Sequence, residues 1–139
     1  RLSRDAWRIS MKYQNKKIVF DDITFDSKKE CNRYIYLKNL EESGIISNLQ
    51  VHPSFDLLPT QKENSVVRLK TKDKIVLRVL ERSVEYSADF SYLKNGELVV
   101  EDVKISKYLL PKEYILKRKM LLFFHGVKVK EVFNAKDPV

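Results

Sequence analysis

The sequence predicts one α/β or α+β domain, with a mixed central β-sheet and helices packed on it. Three observations carry this. Segment order along the 139 residues runs helix, several short strands, helix, strand. An Asn-Gly pair at 95–96 joins two alternating runs, a strong hairpin signal. The 43% hydrophobic and 33% charged content suits a globular chain of one-domain size.

Residues 1–17 read as a basic N-terminal arm carrying the only tryptophan, Trp7, and 18–139 as the folded domain. The arm is too broken by polar residues for a secretory signal, and no apolar run approaches the roughly 18 residues of a membrane span. A short hairpin follows, Lys17–Phe20 and Ile23–Phe25, turning at Asp21-Asp22. The first helix starts near Ser27 and ends near Ser43. Ser27 is a good N-cap, and Glu30 stands at capping-box spacing. Cys31, Tyr34, Ile35, Leu37 and Leu40 make an apolar stripe, with Gly44 where a C-terminal cap belongs.

Ile45–Val51 and Ser54–Leu58 read as strands around Pro53. Val66–Lys70 and Lys74–Leu80 form a hairpin or a long strand pair. Val84–Leu93 and Glu97–Ile105 are the two strands meeting at Asn95-Gly96. Pro111 opens a second helix at its first turn, running to about Phe124. Ile115, Met120, Leu121, Leu122 and Phe123 are available to face a sheet, and Gly126 ends the helix. Val127–Phe133 is the last strand.

The net charge of +8 attracts polyanions, nucleic acid first among them. The lone cysteine, Cys31, excludes an internal disulfide, suits a reducing cytoplasm and reads as a core residue. With only His52 and His125 beside it, a Cys/His zinc site is disfavoured. His52, next to Pro53 at a strand end, could approach the site, but a structural histidine is the favoured reading.

Chemistry concentrates in residues 86–107. Strand alternation puts Asp102 and Lys104 on one face, and Glu101 and Val103 on the other. A hairpin turning at Asn95-Gly96 pairs residues whose numbers sum to about 191, setting Asp89 opposite Asp102. Two carboxylates at about 4 Å repel by about 4 kcal/mol at an effective dielectric of about 20. Mg²⁺ offsets that, because it takes one or two carboxylates plus waters and substrate phosphates. The plain alternative is a surface ion pair between Asp102 and Lys104, with Asp89 a polar residue beside a turn.

Asp89, a hairpin and then Asp102-Val103-Lys104 resemble the D…(D/E)-x-K signature of the PD-(D/E)XK nuclease superfamily. Phe25-Asp26-Ser27-Lys28-Lys29-Glu30, with Arg33 and Tyr34, resembles that superfamily's first helix. In many members this helix supplies a glutamate to a metal site. Tyr86-Ser87-Ala88-Asp89-Phe90 and Val100-Glu101-Asp102-Val103-Lys104 resemble a phage and prophage group known as DUF1064. That group is related to Holliday-junction resolvase-like and TnsA-like endonucleases. Lys12-Tyr13-Gln14-Asn15-Lys16-Lys17 and Tyr114-Ile115-Leu116-Lys117-Arg118-Lys119 are similar to it as well. There are departures: Ala88 replaces a common proline, Ile105 a frequent glycine, and residues 60–84 exceed the usual connection.

The resemblance implies a restriction-endonuclease-like fold and a Mg²⁺-dependent DNA endonuclease, with Mn²⁺ able to substitute. Glu30, Asp89 and Asp102 would hold one or two ions, with the Val103 carbonyl a further ligand. Lys104 would position the attacking water, leaving a 5′-phosphate and a 3′-hydroxyl. Substrate would be duplex or branched DNA, in recombination or DNA processing in a bacterial host's cytoplasm. Cutting both strands of a junction would need a homodimer.

Lys117, Tyr114, Lys16, Lys17 and Lys107 are the candidate DNA contacts, beside the arm's Arg1, Arg4, Arg8 and Lys12. Glu30 has a competing role in capping its own helix. Glu101 reads as a solvated charge or part of a neighbouring ion pair. Two rival functions share the fold: a DNA- or partner-binding module that does not cut, and a nuclease subunit active only inside a recombination or transposition complex.

Overall fold

The computed structural model describes residues 16–139, so the basic arm lies outside it except for Lys16 and Lys17, both exposed. The chain enters through β1 (Ile18–Phe20) and β2 (Ile23–Phe25), an antiparallel hairpin. Asp21 and Asp22 hold φ of 51° and 59°, the left-handed pair that a two-residue hairpin turn demands. Helix α1 (Lys28–Glu42) starts where expected, with Ser27 Oγ accepting the Glu30 N–H at 3.1 Å. The Glu30 carboxylate does not close a capping box on Ser27. It accepts the Asp26 N–H instead, at 3.4 Å.

The remaining elements are β3 (Ser47–Val51), β4 (Ser54–Leu58), β5 (Gln61–Arg68), β6 (Asp73–Glu81), β7 (Val84–Ser87), β8 (Phe90–Lys94), β9 (Glu97–Val103), α2 (Lys112–His125) and β10 (Val129–Val132). A four-stranded sheet in the order β10-β9-β8-β3 forms the centre. Only β10 and β9 run parallel, and α2 lies between them in the chain, as a parallel connection requires. Packed by α1 and α2, this is a mixed α+β architecture consistent with a restriction-endonuclease-like fold.

Each sheet face has its own core. Phe25, Cys31, Tyr34, Leu37, Ile46, Phe90 and Tyr92 pack together on the α1 side. Leu57, Tyr86, Ala88, Val100, Tyr114, Leu121 and Val129 pack together on the α2 side. Expected inward-facing positions on α2 divide. Leu121 is buried, and Ile115 and Met120 are partly so, but Leu122 and Phe123 are exposed. At 3.6 residues per turn Leu121 stacks with Tyr114, and the next two residues swing away from that stripe.

The expected strand Val84–Leu93 is broken at Ala88-Asp89. Ala88 N–H donates to Pro53 O, towards β4, while Asp89 N–H donates to Glu101 O, towards β9. The chain changes partner at this point, so β7 pairs with β4 and β8 with β9. Hairpin β5–β6 is longer than expected and, among the described residues, pairs only with itself. Pro111 caps α2 from outside its first turn.

On the α1 face lies a buried ion pair. Arg33 Nε and Nη2 donate to Glu101 Oε2 and Oε1 at 2.8 and 2.6 Å, and both side chains are 0% exposed. Tyr92 Oη adds a bond to Glu101 Oε1 at 2.6 Å. Arg33 Nη1 reaches the carbonyls of Ala135 and Asp137, fastening the C-terminal segment to α1. Glu101 is therefore an ion-pair partner, not a solvated charge. Arg33→Ala strands its carboxylate in the interior and should lower the unfolding free energy by about 3–5 kcal/mol in a urea titration.

Candidate metal centre and adjoining cleft

Three side chains converge where the sheet splits. Glu30 sits in the first turn of α1, His52 at the corner between β3 and β4, and Asp89 in the break before β8. Each offers one ligand atom, and these atoms lie within 4.8 Å of one another, so the group can hold a metal ion. Asp89 is anchored three times. Its N–H donates to Glu101 O at 3.1 Å, its carbonyl accepts the His52 N–H at 2.9 Å, and its Oδ2 accepts the Val103 N–H at 2.7 Å. Lys29 Nζ donates to Lys104 O at 3.3 Å, tying the start of α1 to the end of β9.

The β8–β9 register is the one expected, running from Phe90 opposite Glu101 to Lys94 opposite Glu97. Asp102 and Lys104 share the α2 side, with Lys104 Nζ 3.9 Å from Asp102 Oδ1. Asp102 is 4% exposed, and its Oδ2 accepts the Tyr86 hydroxyl. It stands outside the three-donor group. The Lys104 ammonium rests 3.8 Å above the Tyr114 ring, a cation–π contact that fixes the end of a flexible chain.

Two clefts meet at Lys104. One, of about 450 Å³, is lined by Asp102, Lys104, Tyr86, Tyr114 and Lys117 among others. The other, of about 380 Å³, is lined by Glu30, Lys29, Val103, Lys104 and Ile105 among others. The exposed Ile105 side chain stands at this second mouth.

The acidic groups hold their protons unusually well. Burial, then the charge of Asp89, with smaller contributions from Asp26 and Asp102, pushes Glu30 up to about 7. Burial raises Asp102 to about 6 against the pull of Lys104. Asp89 is raised too, by burial, although the Val103 N–H and Lys104 favour its charged form. Burial is the first cause in each case, and a divalent ion would displace protons on binding.

A family model described as "Protein of unknown function (DUF1064)" matches residues 10–136. The chain belongs to the DUF1064 family. No curated protein and no solved structure matches it. In this DUF1064 chain the expected residues fall into two groups. Glu30 and Asp89 join the metal-capable cluster, while Asp102, Lys104, Tyr114 and Lys117 line the adjoining cleft. Val103 lines the Glu30 cleft and spends its N–H on Asp89. Lys117 is 3.1 Å from Glu113, and Lys107 is exposed beside the Tyr108 ring.

Sequence reading favoured a structural role for His52 over a place at the site, and the structure sets it in the cluster. It is exposed rather than packed away, and its ring faces two carboxylates. The available signal was its position before Pro53, but the contact with Asp89 spans a loop whose path no local pattern specifies.

The raised carboxyls fix a sign for pH dependence. Stability from neutral Glu30 and Asp102 is complete below their ordinary values of 4.5 and 3.8, and is lost as pH rises through about 7 and about 6. In chelator, the thermal midpoint should therefore fall between about pH 4 and about pH 7. Glu30→Gln should flatten the upper part of that fall in melts followed by circular dichroism.

Proposed function

We propose that this chain is a divalent-metal-dependent DNA endonuclease of the PD-(D/E)XK kind, working with Mg²⁺. The observation that carries this reading is the convergence at Lys104: a metal-capable carboxylate group on one side and Asp102 on the other. The donor set fits the ion, because Glu30 and Asp89 supply hard carboxylate oxygens of the type Mg²⁺ takes. Glu30 and Asp89 would hold the ion, with Asp102 the adjacent carboxylate. Bound there, Mg²⁺ supplies Lewis acidity and charge neutralisation toward a phosphodiester.

The chain's own residues supply the rest. Asp89 is pre-positioned by its bonds to three backbone groups, so it need not reorganise on binding. Lys104, held over the Tyr114 ring, meets the negative charge that grows on the phosphate oxygens. Asp102 steadies Lys104 and, once ionised, can take a proton from the attacking water. Lys117 and Tyr114 line the side of the cleft along which a phosphate backbone would run. The charge of +8 supplies affinity largely without reading sequence.

Resemblance to junction-resolving enzymes makes branched DNA the first substrate to try. The purified chain should cut a panel of four-way junction, linear duplex and single-stranded DNA with Mg²⁺ or Mn²⁺, and lose all cutting in chelator. Asp89→Ala and Lys104→Ala should each lower the cleavage rate by about 10²–10³ while DNA retention persists. Retention indifferent to chelator, with no cutting under any condition, would mark a binding module instead. Cutting only after a recombination or transposition partner is added would mark a subunit of a larger complex.

A further inference from the structure

Mg²⁺ takes oxygen ligands and keeps much of its water, whereas an imidazole nitrogen suits first-row transition ions. The cluster at the head of α1 contains such a nitrogen. We propose that His52 is a third protein ligand of this centre, and that its nitrogen makes the chain bind a transition ion more tightly than Mg²⁺, a preference that Mn²⁺ can report. This rests on the reading of Glu30 and Asp89 as the metal-holding pair.

The geometry supports it from three sides. The donor atoms of Glu30, His52 and Asp89 all fall within 4.8 Å of one another although they come from one helix and two separate connections. The ring's origin is fixed, because His52 N–H is bonded to the carbonyl of Asp89, one of its two prospective co-ligands. The imidazole itself is exposed and hydrogen-bonds to no described side chain or carbonyl. Its nearest aromatic neighbour, Phe25, lies 6.2 Å away between ring centroids and offers it no polar contact.

The backbone supplies a further reason to attend to this position. His52 has φ of 53° and is followed by Pro53, a combination that a residue before proline avoids. The positive φ turns the chain at the corner between β3, paired with β8, and β4, paired with β7, and leaves the side chain exposed.

The test measures metal binding, not cleavage. Mn²⁺ and Mg²⁺ affinities are taken by titration calorimetry for the wild type, His52→Asn and Asp89→Asn. Asparagine tolerates the left-handed backbone, so the fold is retained. Pulsed electron-paramagnetic-resonance of the Mn²⁺ form then looks for nitrogen coupling from a bound imidazole. The wild type should bind Mn²⁺ at least about tenfold tighter than Mg²⁺ and show the coupling. His52→Asn should abolish the coupling and weaken Mn²⁺ about tenfold, while leaving Mg²⁺ within about twofold. His52→Asp, which restores an oxygen donor, should move selectivity toward Mg²⁺. Asp89→Asn should weaken both ions.

A wild-type Mn²⁺ spectrum without nitrogen coupling, or an unchanged Mn²⁺-to-Mg²⁺ ratio in His52→Asn, overturns the role of His52. If Asp89→Asn still weakens both ions in that case, the nuclease reading stands without it. Failure of the wild type to bind either ion overturns both.

Discussion

The functional end of this molecule hangs on the peptide and side chain of Asp89. Its N–H belongs to the β9 ladder, its carbonyl accepts from the β3–β4 corner, and its carboxylate takes the Val103 N–H that the ending ladder leaves over. Interior backbone groups must find partners, so a strand cannot simply stop here. Because one residue meets all three demands, β7 is free to diverge and pair with β4. The divergence opens the cleft along which Asp102, Lys104 and Tyr114 are displayed. One of these bonds, from the His52 N–H, holds His52 beside the cluster, where its donor atom lies within 4.8 Å of those of Glu30 and Asp89.

The two faces of β9 treat their carboxylates in opposite ways. Glu101 faces α1 and receives a guanidinium fork plus a tyrosine hydroxyl. Its charge is matched inside the protein, which leaves it nothing to offer a ligand. Asp102, one residue on, has an ammonium at 3.9 Å and one hydroxyl. Glu30 is raised first by burial and then by the charges of Asp89, Asp26 and Asp102. Unmatched carboxyls either keep their protons or collect a cation, and here the proton affinities are already raised. This division separates what holds the fold together from what stands ready for a ligand.

Much of the fold could be read directly. Ser27 as N-cap, the Cys31–Leu37 stripe, the Asp21-Asp22 and Asn95-Gly96 turns and the β8–β9 register all follow from local rules of capping, period and turn conformation. So does the shared side of Asp102 and Lys104. Less was visible where local patterns are silent. Arg33 sits on a helix face next to apolar neighbours, and nothing in its surroundings announces a partner 68 residues away. Leu122 and Phe123 are as apolar as Leu121, and only the rotation of α2 against the sheet decides that they remain outside.

Sequence alone therefore determined the helices, the turns, the pairing of β8 with β9 and the residue types available for chemistry. These depend on contacts a few residues apart or across one tight turn. Tertiary structure alone decided that the strand before Phe90 breaks, that Glu101 is neutralised and that Asp102 stands apart from Glu30 and Asp89. It also decided that His52 joins those two. Each of these outcomes depends on which distant groups compete for one backbone amide or one buried charge, and that competition is settled only when the sheet and both helices close together.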